Sequence, residues 1–110
     1  MDYASKRCVP CEGGIPAFTP GEVEVAARSV SGWEVRDGHK KLHRHLRFAD
    51  FREAMRFVNA MAELAEAEGH HPDFCVHFST VDVTLWTHAV GGLSENDFIL
   101  AAKLDALAPP

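Results

Sequence analysis

Between Asp50 and Gly69 the apolar residues Phe51, Ala54, Met55, Val58, Met61, Ala62 and Ala65 recur at the spacing of a single helical face. Asp50 and Glu53 give the run a capping-box start. Gly69 suits the left-handed position after a helix, and Pro72 blocks continuation soon afterwards. A long helix with one apolar stripe has to lay that stripe on another layer, and the flanking segments supply one made of strands.

Upstream, Trp33 to Arg36, the pair Asp37-Gly38 and a run from about Lys40 to Phe48 read as a hairpin, because Asp-Gly tolerates the positive φ of a tight turn. In the second strand Leu42, Leu46 and Phe48 share one face, while Lys41, His43, His45 and Arg47 form a solvated basic stripe on the other. Downstream, Phe74, Val76 and Phe78 alternate with Cys75 and His77, and then Val81, Val83 and Leu85 alternate with Asp82, Thr84 and Trp86. Two further helices are marked by caps. Thr19, Pro20 and Glu22 start one that runs to about Ser29, and Ser94 with Asp97 starts one through Leu107, after the Gly91-Gly92 turn. From Phe98 onward that last helix is apolar enough to be covered on more than one side, which hints at subunit packing. Residues 1–18 carry no sustained period and read as an irregular N-terminal arm before a domain over 19–110. The expectation is an α+β fold of order α-β-β-α-β-β-α, a four-stranded antiparallel sheet with three helices on one face.

A chain of 110 residues can bury only about two-thirds of its unfolded surface, enough for one core. A formal charge of -5 argues against nucleic acid, whose binding needs a basic footprint. No apolar run approaches the ~18 residues of a membrane span, and the first residues lack the apolar stretch of a secretory signal. A soluble cytoplasmic protein without nucleic-acid or membrane partners is expected. Three cysteines in such a chain read as reduced thiols rather than as a disulfide framework.

The densest polar feature is Glu66-Ala67-Glu68-Gly69-His70-His71-Pro72-Asp73, two imidazoles just past a helix end beside a rigid proline. His88 and Asp97 flank the next loop. An imidazole with a pKa near ~6.5 exchanges protons around neutrality, and a neighbouring carboxylate fixes its tautomer. Singly, each histidine is more often a surface or packing residue. Convergence changes that balance, since the loops after the long helix and after the fourth strand can bring His70, His71 and His88 to one edge of the sheet.

Glu66-x-x-x-His70-His71-Pro72, the Thr87-His88 pair and Asp97 together resemble the signature of the pterin-4a-carbinolamine dehydratases, over a stretch from about Trp33 to Leu107. The resemblance implies dehydration of 4a-hydroxytetrahydropterin to the quinonoid dihydropterin, recycling the tetrahydrobiopterin consumed by aromatic amino acid hydroxylases, without a metal or other cofactor. It implies His70 and His88 as the acid-base pair and His71 as a pterin-binding assistant. Glu66 and Asp97 would orient them, with Pro72, Phe74 and Thr87 beside the substrate. Asp97 is equally explained as a helix cap, and Phe74 as core. Family members form homodimers and homotetramers.

Two other readings stay open. The arm, Cys8-Val9-Pro10-Cys11-Glu12-Gly13-Gly14, together with Trp86 to Leu93 and Asn96 to Lys103, also resembles a branch in carboxysome-bearing bacteria and chloroplasts that is associated with Rubisco assembly. Bulky neighbours such as Phe74, Phe78 or Trp86 would then fill the cleft. Cys8-x-x-Cys11 is half of a zinc site without a second pair at suitable spacing, and it lacks the strand-helix context of a redox motif. A metal hydrolase using His70, His71, His88 and Asp97 ranks last, because adjacent histidines rarely ligate one ion.

Overall fold

The computed structural model describes residues 2–10 and 15–108. In order the elements are α1 (Pro20–Ala27), β1 (Glu34–Arg36), β2 (Lys41–Arg47), α2 (Phe51–Glu68), β3 (Asp73–His77), β4 (Thr80–Leu85) and α3 (Glu95–Leu107), with 3-10 turns at Tyr3–Ser5 and His88–Val90. This is the expected α+β order.

The strands lie β1-β2-β4-β3, each pair antiparallel. Strand β4 is central, and Val81, Val83 and Leu85 are fully buried opposite Leu46, Arg44 and Leu42. Arg44 thus falls on the apolar side of β2. Its guanidinium is satisfied there by Asp105 of α3, which also accepts the Trp33 indole N–H at 2.8 Å. The alternate positions Thr80, Asp82 and Thr84 face the other side with His43 and His45. The Asp82 carboxylate takes up that stripe, 2.8 Å from His45 Nδ1 and 3.2 Å from His43 Nε2.

The helix starts follow their caps. At α1 the Thr19–Glu22 box is reciprocal, at 3.2 and 2.9 Å, and the helix ends at Ala27, two residues short of the expected Ser29. At α2 only half of the expected box serves the cap. Asp50 accepts the Glu53 N–H at 2.8 Å, while the Glu53 carboxylate turns to Arg56. Gly69 closes α2 at φ 67°.

The first hairpin forms as expected, with Asp37, Gly38 and also His39 in the left-handed region. The reading of the third strand is corrected. Strand β3 is an edge strand, and of the apolar residues read from its alternation Val76 alone packs against the core. Phe74 is 45% and Phe78 73% exposed, and neither belongs to the core. The buried first part of α3 is covered in part by the chain's own N-terminal segment. Tyr3 and Phe18 pack on Phe98 with ring centroids 5.8 and 5.6 Å away.

Phe78 also holds a φ of 52° in the β3–β4 turn. A bulky side chain pays about 1–2 kcal/mol there, which asparagine largely avoids. Phe78→Asn should therefore raise unfolding free energy in urea by about 1 kcal/mol.

Candidate active site

The left-handed turn at Gly69 ends α2 and swings the next residue inward. The His70 N–H still reaches back to the Ala65 carbonyl at 3.2 Å. The imidazole is only 6% exposed, and its Nε2 lies 2.7 Å from Asp97 Oδ1. Asp97 is completely buried, and its other oxygen accepts the Thr87 hydroxyl at 2.7 Å and the Ser94 N–H at 3.0 Å. A carboxylate that accepts from both of these places the proton of the His70 contact on Nε2. Asp97 therefore does both things open to it from sequence, capping α3 and gripping His70. Thr87 and Gly92 pair their backbones, closing the loop that carries His88.

The other two imidazoles are open to solvent. His71 Nε2 lies 2.5 Å from Glu66 Oε2, with both side chains more than half exposed, so this pair orients the ring and adds little stability. His88 stacks on the Trp86 indole, the ring centroids 3.8 Å apart and 28° from parallel. Its Nε2 is 4.0 Å from Asp73 Oδ2, an oxygen that accepts the Trp86 N–H at 3.0 Å.

All three histidines line one solvent-open cavity of about 780 Å³, together with Glu66 and Pro72. That volume lies within the range of small-molecule sites, roughly 300–1,000 Å³. Trp86 forms part of the wall without closing it, and Phe78 turns away to solvent. Asp97 and Thr87 stand behind His70 rather than in the wall, and Phe74 does not line the cavity. Sequence reasoning assigns no role to Asp73 or to the arm residues Arg7, Cys8 and Pro10, which complete the wall. Strand parity carries a usable signal for Asp73, since β3–β4 pairing puts it on the Trp86 side. No local signal marks the arm.

Two side chains clasp the arm. Asn96 binds Val9 through both ends of its amide, accepting at 2.9 Å and donating at 2.7 Å. Glu68 accepts the Cys8 N–H at 2.8 Å and pairs with Lys103 at 3.0 Å. Burial alone would raise the Glu68 carboxyl, but the Cys8 N–H, Lys103 and Arg7 outweigh it and hold it below the ordinary range. Burial, followed by the Glu68 carboxylate, pushes the Cys8 thiol up to about 12. A thiol raised in this way is a weak nucleophile near neutral pH. Cys11 lies outside the described residues. With iodoacetamide at pH 8, exposed Cys75 should alkylate at least tenfold faster than Cys8, the thiolate fraction of the latter falling about tenfold per pKa unit. Peptide mass spectrometry at timed intervals reads both rates, and equal rates contradict the raised pKa. Among the described residues no group of three or more His, Cys, Asp or Glu side chains is placed to hold a metal ion.

The antiparallel sheet with its helices and the imidazoles brought from two loops to one open cleft define a small α+β protein with a histidine-lined cavity. The family model described as Pterin 4 alpha carbinolamine dehydratase matches residues 16–107, and the chain belongs to that family. A Rubrobacter xylanophilus protein that carries the name pterin-4-alpha-carbinolamine dehydratase provisionally is 49% identical over 96% of this chain and 98% of its own length. Among solved structures, a transcriptional coactivator/pterin dehydratase from Brucella melitensis is 36% identical, with a TM-score of 0.80 over 84% of this chain and 99% of that one. A pterin dehydratase-like protein identified as a RuBisCO assembly factor in the alpha-carboxysome is 28% identical, with a TM-score of 0.62 over 70% of this chain and 89% of that one.

Proposed function

We propose that the protein dehydrates a 4a-hydroxytetrahydropterin to the quinonoid dihydropterin, with His70 and His88 as the acid-base pair and His71 helping to bind the pterin. The observation that carries this reading is the open cavity into which both histidine loops contribute. The acid protonates the departing hydroxyl as the C–O bond breaks, and the base takes the proton from the adjacent ring nitrogen. The N–H electron pair forms the C=N bond, so the products are the dihydropterin and water, with no net redox change. One placed acid and one placed base each contribute typically ~10²–10⁴ in rate. Asp97 fixes the tautomer of His70 and Glu66 orients His71, while Pro72 stiffens the loop between them and Thr87 steadies Asp97. The test is disappearance of a 4a-hydroxytetrahydropterin generated in situ, followed by absorbance. Loss no faster than the spontaneous reaction sinks the reading.

The protein would act in the cytoplasm. No helix among the described residues is long and apolar enough to cross a membrane. A homodimer or homotetramer is supported by the edge position of β3 and by exposed Phe74 and Phe78, features that a second copy would cover. Its size is read by sedimentation.

A second reading, a catalytically silent Rubisco assembly factor associated with carboxysomes, is supported by the likeness to the alpha-carboxysome protein. It takes over if the wild type shows no dehydration yet raises the yield of assembled Rubisco on co-expression.

A further inference from the structure

His70 is fixed by burial, but His88 is not. It opens a short 3-10 turn with 64% of its side chain exposed, and an imidazole so placed would ordinarily sample several rotamers. Proton transfer needs it in one of them, because a misplacement of about 1 Å at a reacting group can cost on the order of 10²-fold in rate.

We propose that Trp86 and Asp73 are positioning residues for His88, a surface counterpart of the grip that Asp97 exerts on His70. The inference rests on the dehydration reading above. Three contacts hold the indole that His88 stacks upon. Its N–H donates to Asp73 Oδ2 at 3.0 Å, the Lys41 ammonium lies 4.9 Å from its ring centroid, and the imidazole stacks on it with centroids 3.8 Å apart and the planes 28° from parallel. The strand register produces this arrangement. Asp73 pairs with Thr84, so Trp86, two residues after Thr84 and just past the end of β4, is its diagonal neighbour on the same face and within reach of a long side chain. The same Asp73 oxygen lies 4.0 Å from His88 Nε2, too far for a hydrogen bond but close enough to favour that edge of the ring turning toward it. Trp86, Thr87 and His88 then divide the work. The middle residue faces inward to Asp97, and the outer two face the cavity as a stacked pair.

The test combines kinetics with a spectroscopic reading of the stack. In the wild type the His88 ring protons should resonate upfield of those of exposed His71, through the indole ring current. Trp86→Ala should abolish that displacement and lower kcat on the order of tenfold, with KM little changed. Asp73→Ala should diminish both, and the double variant should cost no more than the worse single one, because the pair acts as a unit. Trp86→Phe, which restores an aromatic face without the N–H donor, should recover part of the rate. Unshifted His88 protons in the wild type, or an unchanged kcat in Trp86→Ala with dehydration intact, overturns the proposal. If the wild type proves inactive on the pterin, the dehydration reading fails by itself. The resonance pattern of wild type, Trp86→Ala and Asp73→Ala then decides the positioning claim alone.

Discussion

Alanine at His88 should lower dehydration by ~10²–10⁴ with stability nearly untouched, whereas alanine at His70 should cost the same in rate and a further ~1–3 kcal/mol in folding. The difference follows from burial. The His88 ring stands mostly in water, and its removal uncovers no buried polar atom; surface changes of that kind usually stay within about 0.5 kcal/mol. The His70 ring is 6% exposed and supplies the partner of Asp97 Oδ1 at 2.7 Å. Deleting it leaves a carboxylate oxygen inside the protein with one contact fewer. Urea unfolding and single-turnover dehydration, measured on both variants, separate the two contributions. Equal stabilities would contradict the buried placement of His70, and full activity in both variants would end the acid-base assignment.

The second large effect belongs to Asp97. Asp97→Ala takes the acceptor from the His70 contact and the Ser94 N–H and leaves the Thr87 hydroxyl only the Ser94 hydroxyl 2.8 Å away, all of them buried or nearly so. Breaking a buried charge-assisted set in this way costs about 3–5 kcal/mol, a large share of the ~5–15 kcal/mol that holds a domain together. Asp97→Asn should cost less. Its carbonyl, placed where Oδ2 stands, can still accept both the Thr87 hydroxyl and the Ser94 N–H, though its NH₂ then faces the His70 Nε2. Chemical denaturation ranks the two variants, and a loss below about 1 kcal/mol for the alanine would show that water replaces the carboxylate.

How much of this was legible in the sequence depends on the range of each signal. The α2 helix is readable because its cap, its stripe and its stop lie within 20 or so consecutive residues, all set by local geometry. The capping pair Ser94 and Asp97 is readable for the same reason. Alternation identifies Phe74, Val76 and Phe78 as sharing a face, but it carries no information on whether a strand is central or at an edge. The exposure of Phe74 therefore emerges only with the sheet order, and that of Phe78 with the turn that ends β3 at His77. The covering of α3 is likewise a long-range fact, supplied by Tyr3 and Phe18 from a segment with no period of its own. Within the site, Glu66, His70, His71 and His88 announce themselves by spacing and side-chain chemistry. Asp73 becomes meaningful once the register sets it beside Trp86.

The clasp by Asn96 carries a consequence for anyone shortening this chain. Asn96 staples Val9 while its immediate neighbour Asp97 grips His70, so Val9 and the buried histidine hang from one turn of the same helix. Trimming the N-terminus would take the two Val9 hydrogen bonds from an amide 1% exposed and the Tyr3 ring from one side of Phe98. A deletion that looks like tidying of a loose tail would thus be felt one residue away from the carboxylate that holds His70.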